Sequence, residues 1–229
     1  MGFARNFKQN HRTDNIKINE FMALVYSGMA GGLFLTAVTA FFVMNSGILF
    51  SLMIANKYIY FGLLLLELVI VFGITLMIEK ISYKTAAIAL IFYSILNGIT
   101  LTPIFYVYTS GSIVAAFFTT SAMFLGMTFL GYTIKKDLGY LGKFFLMALI
   151  GFIAALIINF FLKSTLIDFF ISVAGVLLFA GLTVYDTQRI RKAARYTKDK
   201  KYALVSSLSL YLNFINIFLN LLRLMGRRT

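Results

Sequence analysis

The chain of 229 residues contains no cysteine, one histidine and one proline. Without cysteine it can form no disulfide, thiolate nucleophile or cysteine-ligated metal site. Because the histidine, His11, lies in the polar first twenty residues, serine hydrolases, paired-histidine zinc sites and haem ligand pairs each lack a necessary part. An aspartyl intramembrane protease needs two facing carboxylates, and no second aspartate occurs in the final hydrophobic segment after Asp186. We therefore expect neither enzymatic activity nor a cofactor.

Charge is also scarce, because charged residues make up 13% of the chain and hydrophobic residues 60%. Soluble domains have about 25% charged residues, so this chain could not cover a water-exposed surface. Its apolar residues form runs long enough to cross about 30 Å of hydrocarbon as helices. These runs are Phe21–Met44, Tyr58–Ile78, Thr85–Tyr108, Ser112–Ile134, Phe144–Leu162, Ile167–Tyr185 and Ala203–Met225. The sequence predicts an all-α, polytopic membrane protein with a seven-helix transmembrane domain over residues 21–225, an N-terminal tail (1–20) and a short C-terminal tail (226–229).

The basic residues that give the net charge of +13 are concentrated in alternate connections, which lie on one side of the membrane. We therefore expect membrane lipids as partners and no nucleic acid. Four basic residues occur in 1–20, two in 79–84, three in 135–143 and seven in 189–201. The alternate connections and the C-terminus contain only Lys57, Lys163, Arg227 and Arg228. Because cytoplasmic loops are enriched in Lys and Arg, the N-terminus is predicted to be cytoplasmic and the C-terminus to lie outside. A re-entrant last segment, which would return the terminal arginines to the cytoplasm, remains the alternative.

The last hydrophobic segment carries its polar side chains on one face. At about 100° per residue of helix they fall within an arc of roughly 100°. They are Ser206, Ser209, Asn213, Asn216, Asn220 and Arg223. Amides and an arginine exposed to lipid would each cost on the order of kilocalories per mole, so this face must contact other helices, water or a solute. We therefore expect the functional site here.

Two acidic residues belong to apolar segments. Glu67 is in the middle of the second segment, where it could coordinate a cation, relay a proton, or lock neighbouring helices together by hydrogen bonds. Asp186 follows the sixth segment directly, where pairing with Arg189 one turn later is the simplest structural interpretation. Neither alternative is settled by the sequence.

Two segments of the chain form specific motifs. They are residues 181–188, Gly-Leu-Thr-Val-Tyr-Asp-Thr-Gln, and residues 208–218, Leu-Ser-Leu-Tyr-Leu-Asn-Phe-Ile-Asn-Ile-Phe. Both resemble the Bax inhibitor-1 (TMBIM) family. The resemblance extends through Glu67 and residues 97–103, Asn-Gly-Ile-Thr-Leu-Thr-Pro. It implies a seven-helix bundle with the polar last helix at its centre, here in a bacterial inner (plasma) membrane. It also implies a calcium leak gated by pH; eukaryotic relatives are associated with suppression of cell death.

The resemblance implies a site at Asp186 and Asn213, where calcium could bind, with Glu67, Asn216, Asn220 and Arg223 completing the ion path. The family usually has aspartate where this chain has Asn213. Two facing carboxylates can share a proton near neutral pH, and this chain lacks the second one. The expected function is a pH-modulated leak channel or transporter for calcium or another cation. The alternative is a non-conducting adaptor that regulates a membrane-bound AAA protease or a stress response, as some bacterial relatives are linked to.

Overall fold

A computed structural model describes residues 2–47, 56–197 and 199–229, without the side chains of residues 2–16 and 57. Within these ranges the chain is almost entirely helical and contains no strand. The helices are α1 (Gly2–Ser46), α2 (Lys57–Leu76), α3 (Tyr83–Leu101), α4 (Ile104–Val107), α5 (Ser110–Thr133), α6 (Leu141–Leu162), α7 (Thr165–Ala193) and α8 (Lys200–Met225). Lys198, one of the seven basic residues of the 189–201 segment, lies outside the described residues.

Seven of these described segments are long and apolar enough to span a membrane, which confirms the predicted all-α, polytopic fold. The candidate spans are Lys17–Ser46, Tyr58–Leu76, Tyr83–Val107, Ser110–Thr133, Leu141–Leu162, Thr165–Ala193 and Lys200–Met225. Among them α8 has the largest buried share and α6 the smallest. The buried residues of α8 cover about two thirds of its circumference, and the remaining side carries half-buried or exposed residues, among them Ser209, Asn216 and Arg223.

The helix ends differ from the ends of the apolar runs. The backbone of α1 is helical from Gly2, so the polar tail and the first span share one helix. The sixth run was predicted to end at Tyr185, whereas α7 continues to Ala193. The last residues of α7 include glutamine, arginine, lysine and alanine, which all favour helix formation, whereas most of them are too polar for lipid. Hydropathy therefore marks the end of the lipid-facing segment and not the end of the helix. Asp186 therefore lies inside a helix.

The chain divides into two compact units, each with its own internal packing. The first comprises the chain up to Pro103 together with Ile190–Tyr211, and the second comprises Ile104–Arg189 and Leu212–Thr229. In the first unit α1 and α2 both pack against α3. In the second unit, buried Phe218 and Leu222 of α8 pack with Ala116 of α5.

Glycines set the close contacts of α1 in the first unit. A Cβ added to Gly28 would lie 2.5 Å from the Oγ of Ser207, and one added to Gly32 would lie 3.0 Å from the Oγ of Ser94. A Cβ on Gly31 would meet no described atom within 4 Å. Gly28 and Gly32, one helical turn apart, thus let α1 approach α8 and α3 closely, as small residues do between membrane helices.

Pro103 ends α3, and side chains satisfy the carbonyl groups that it frees. Proline has no N–H for the carbonyl four residues earlier. That carbonyl, of Ile99, accepts from Thr102 N instead (3.2 Å). The Thr102 hydroxyl donates to the carbonyl of Gly98 (3.0 Å), and the hydroxyl of Tyr60 in α2 donates to the carbonyl of Thr100 (3.3 Å). The third apolar run is therefore broken at Pro103, with α4 as a separate short helix.

The two ends of α8 contact different connections. In the first unit the Tyr202 hydroxyl donates to the Glu79 carboxylate, in the α2–α3 turn, at 2.8 Å. In the second unit, Thr109 N in the α4–α5 turn donates to the Arg227 carbonyl at 3.0 Å. These two turns flank the candidate span Tyr83–Val107. With 26 residues, or about 39 Å of rise, α8 is long enough for a full crossing.

Topology can be tested with a reporter enzyme that is active only outside the cytoplasm. We expect the reporter to be silent when fused within residues 197–201 and active when fused after Thr229, because basic loops are retained inside. A fusion in the Thr109 turn serves as the matched control, since Arg227 contacts it, and should also be active. A silent fusion after Thr229 beside an active one at Thr109 would contradict the full crossing.

The α1–α3 contact predicts the effect of a single methyl group. A Cβ on Gly98 would lie 2.6 Å from the Thr36 carbonyl oxygen and 2.7 Å from the Thr39 Cβ. Gly98→Ala should therefore lower the free energy of unfolding by about 1–3 kcal/mol, measured as thermal stability of the purified protein. Gly73→Ala in α2 is the control, since its Cβ would meet no described atom within 4 Å, and it should be neutral or stabilising. Equal effects of the two changes would argue against close α1–α3 packing.

Candidate functional site

Asp186 of α7 and Asn213 of α8 form a buried hydrogen-bonded pair in the second unit. Asp186 is 7% exposed and Asn213 is 5% exposed. Asn213 Nδ2 donates to Asp186 Oδ2 at 2.8 Å. The apolar run alone placed Asp186 at the membrane edge, and only the family resemblance implied this pairing. The continuation of α7 to Ala193 explains how a carboxyl group beyond the apolar run comes to be buried.

Residues around Asp186 attach the α5–α6 connection to α7. Gln188 Oε1 accepts from Leu138 N (2.8 Å), and its Nε2 donates to the carbonyls of Lys136 (2.9 Å) and Ile134 (3.1 Å). A Cβ on Gly131 of α5 would lie 2.7 Å from the Thr187 Cβ, so α5 and α7 are in close contact there. Thr187 and Gln188 are thus held by packing on α5 and by hydrogen bonds to the backbone of the α5–α6 connection. These contacts limit how far the neighbouring carboxylate of Asp186 can move.

The rest of the polar face of α8 meets α7 along an antiparallel seam. Asn213 contacts Asp186, Asn220 packs on Gly175, and Arg223 Nη1 lies 3.8 Å from Asp168 Oδ1. From Asp186 to Asp168 this seam covers about 27 Å along α7. The amide nitrogen of Asn216 donates to the carbonyl of Leu212 at 2.8 Å, within its own helix. Of the predicted stripe, Asn213 and Asn220 are therefore buried against α7. Ser206, Ser209 and Asn216 are half-buried, and Arg223 lies at the exposed end.

Glu67 belongs to a different cluster, in the first unit. It is 8% exposed, and its Oε1 accepts from the Thr100 hydroxyl (2.5 Å) and its Oε2 from Asn97 Nδ2 (3.2 Å). Asn97 Oδ1 accepts from the Tyr211 hydroxyl (2.8 Å), which is 2.7 Å from the Thr36 hydroxyl. One hydrogen-bonded network thereby joins α2, α3, α8 and α1. Of the interpretations left open by the sequence, this geometry favours the structural lock.

Sequence reasoning missed a second polar face of α8. Ser207 and Tyr211, both fully buried and one turn apart, face α1 and α3. The Ser207 hydroxyl is 2.8 Å from the carbonyl of Val25. The available signal was the spacing of four residues, but tyrosine counts as apolar in a hydropathy scan. Gln188 and Asp168, which also lie outside the stripe, were likewise not identified as contact residues.

The donor set at Asp186 and Asn213 determines what kind of cation it could hold. In the described residues no group of three histidine, aspartate or glutamate side chains converges as a metal site. A stable calcium site uses about six to eight oxygen ligands, whereas this pair supplies one carboxylate and one amide. On its own the pair therefore supplies fewer oxygen ligands than a stable calcium site uses.

Comparison with known proteins identifies the family. The chain belongs to the family described as inhibitor of apoptosis-promoting Bax1, whose model matches residues 18–229. It is 40% identical over 217 residues to the inner membrane protein YbhL of Escherichia coli K12, covering 92% of this chain and 93% of that protein. It is 40% identical over 215 residues to an uncharacterized protein of Borreliella burgdorferi (92% and 93% covered) and 35% identical over 218 residues to an uncharacterized membrane protein of Streptococcus pyogenes serotype M1 (93% and 95%). The resemblance seen in the sequence is confirmed.

The network around Glu67 predicts a stability effect. Glu67→Leu roughly keeps the size of the side chain but removes both carboxylate oxygens, so the Asn97 amide and the Thr100 hydroxyl lose a buried acceptor, at a cost of about 1–3 kcal/mol. We expect a lower melting temperature and, in vesicles, unchanged cation flux per folded protein. Thr75→Val is the control, because the Thr75 hydroxyl is exposed and donates only within its own helix. A normal melting temperature with reduced flux would instead assign Glu67 to the ion path.

Proposed function

We propose that this Bax inhibitor-1 family protein is a leak channel or transporter for a hard cation, calcium in the first place, in a bacterial inner membrane. The path would follow the face of α8 that meets α7. Asp186 would be the proton acceptor that opens or shuts this path. The observation that carries this proposal is the buried pair of Asp186 and Asn213. A carboxylate buried in a membrane helix is costly, so its presence calls for a structural or a functional role, and we assign Asp186 a functional one.

The side chains along α8 have the chemistry that a hard cation requires. Calcium prefers carboxylate and amide oxygens, and Asp186 is followed along the seam by the amides of Asn213, Asn216 and Asn220. These amides are separated by rises of about 4.5 and 6 Å, which are distances that an ion could cover in steps. The amide nitrogens of Asn216 and Asn220 donate within α8, so their amide groups are held in place by the helix itself.

In this proposal the hydrogen bond between Asn213 and Asp186 is the shut state of the path. Asn213 Nδ2 is 2.8 Å from Asp186 Oδ2, so an N–H group occupies a position where a cation would bind. A hydrogen bond to a charged group contributes about 1.5–3 kcal/mol, which keeps an opening equilibrium of this kind well to the shut side. A leak needs such a bias, because a path that stayed open would dissipate the ion gradient.

The alternative of a non-conducting adaptor for a membrane-bound AAA protease uses other parts of the chain. It requires the N-terminal tail and the basic Arg189–Lys201 segment, and it gives no role to Asp186. Purified protein in liposomes loaded with a calcium dye distinguishes the two functions. An adaptor should show no flux above that of empty vesicles at any pH.

The asparagine at position 213 predicts how flux depends on pH. Asn213→Asp places two carboxylates within hydrogen-bond distance, and such a pair retains one proton near neutral pH. Flux of the natural protein should therefore vary weakly between about pH 6 and 8, because the Asn213 amide cannot share a proton with Asp186. Asn213→Asp should steepen this dependence, and Asp186→Asn should remove it in either background.

The control for this experiment is Asn216→Asp, one turn further along α8. It adds the same charge to the same face, but Asn216 donates to its own helix and not to Asp186. It should steepen the pH dependence less than Asn213→Asp does. Identical profiles for the natural protein and Asn213→Asp would mean that this pair does not control the path, and flux at the level of empty vesicles in every variant would favour the adaptor.

A further inference from the structure

The seam between α7 and α8 ends in a partly exposed ion pair. Asp168 is in the first turn of α7, and Arg223 is in the last turn of α8. Arg223 Nη1 lies 3.8 Å from Asp168 Oδ1, with side-chain exposures of 33% and 37%. A pair this exposed contributes little stability, and both side chains can reach water when they separate. We call Asp168, Arg223 and the neighbouring Asn220 the C-terminal mouth.

Asn220, one turn deeper than Arg223, has a buried oxygen without a partner. The residue is 3% exposed, and its Nδ2 donates to the Asn216 carbonyl at 2.7 Å. Its Oδ1 has no hydrogen-bond donor among the described atoms. Exchanging the amide nitrogen and oxygen would set two oxygens against each other, so the unpaired atom is the carbonyl oxygen. A buried acceptor left in this way is destabilising, which calls for a ligand.

Gly175 of α7 makes room for this amide. A Cβ at position 175 would lie 2.6 Å from Asn220 Cγ, 2.6 Å from its Oδ1 and 2.7 Å from its Nδ2. The amide therefore lies directly against the backbone of α7, where any larger residue would displace it. Glycine at 175 allows Asn220 to be buried at this point of the seam.

We propose that Asn220 Oδ1 is a ligand for the permeating hard cation and that the Asp168–Arg223 ion pair is the lid over it. This rests on the proposed cation path, but it is independent of the Asp186–Asn213 pair. With the lid shut, the Arg223 guanidinium repels an approaching cation and neutralises Asp168. When the pair separates, the Asp168 carboxylate attracts the cation and Asn220 supplies the next oxygen ligand inward. Carboxylate and amide oxygens are the ligands that select a hard divalent cation.

Thiol labelling tests the lid without any flux measurement. Because the chain has no cysteine, a single Asn220→Cys reports on that position alone, and a thiol reacts only where water allows its thiolate to form. In nanodiscs, a water-soluble maleimide should label Asn220→Cys about two- to fivefold faster when Arg223→Gln or Asp168→Asn is added, the range expected for loss of a partly exposed ion pair. Ile217→Cys, fully buried on the same helix, is the control and should stay unlabelled. Unchanged labelling of Asn220→Cys in both backgrounds would overturn the lid.

Flux tests the ligand, because the two changes that break the pair leave opposite charges. Arg223→Gln leaves the Asp168 carboxylate and should raise calcium entry into dye-loaded liposomes severalfold, whereas Asp168→Asn leaves the guanidinium and should not. Asn220→Leu added to Arg223→Gln should return the flux to the level of the natural protein or below, and Asn220→Asp should not. Equal flux for Arg223→Gln with and without Asn220→Leu would overturn the ligand role.

The failure of this inference and that of the proposed function give different results. Faster labelling without flux in any variant would support the lid while contradicting both cation conduction and the ligand role of Asn220. Flux in the natural protein, with labelling unchanged by Arg223→Gln and Asp168→Asn, would contradict the lid at the C-terminal mouth. It would not contradict the proposed function. Melting temperatures within a few degrees of the natural protein identify the variants that are folded, as expected for changes at a partly exposed pair.

Discussion

Lipid offers no hydrogen-bond partner, so every polar group on a buried membrane helix must find one in the protein. For α8 this constraint determines which residues can occupy the facing positions of the neighbouring helices. Ser207 packs on Gly28, Tyr211 on Gly32, and Asn220 on Gly175. In each case a polar side chain of α8 meets a glycine of the neighbouring helix, since only a residue without Cβ lets the two come so close. These polar side chains of α8 can therefore be buried only where glycines of α1 and α7 face them.

The spans could be predicted from the sequence because lipid imposes length and apolarity on every crossing segment. The helix ends could not, because helix continues into water wherever the residues favour it. The run that ended at Tyr185 belongs to a helix that ends at Ala193. That difference changed the interpretation of Asp186 from an interfacial acid to a buried one. Composition alone locates the membrane, while the depth of a residue near its edge depends on tertiary packing.

Residues of the site could be predicted from the sequence only where their side chains differ clearly from those that face lipid. The asparagines of α8 stand out because amides are rare in apolar segments. Hydroxyl groups do not stand out, because Thr36 and Ser94 can donate to carbonyls of their own helices. Their contacts with other helices become visible only in three dimensions. The pairing of Asp186 with Asn213 was available through family resemblance alone, since no spacing rule relates positions 27 residues apart on different helices.

Each unit fixes α8 through buried hydrogen bonds of its own. In the first unit Tyr211 donates to Asn97, and in the second unit Asn213 donates to Asp186, both at 2.8 Å. Breaking either bond leaves a buried polar group unpaired, at a cost of about 1–3 kcal/mol. Within the second unit a rotation of α8 would also disturb the contact of Asn220 with Gly175, whereas moving the Asn213 side chain alone breaks a single hydrogen bond. Opening the seam at Asp186 therefore costs least as a movement of the Asn213 side chain.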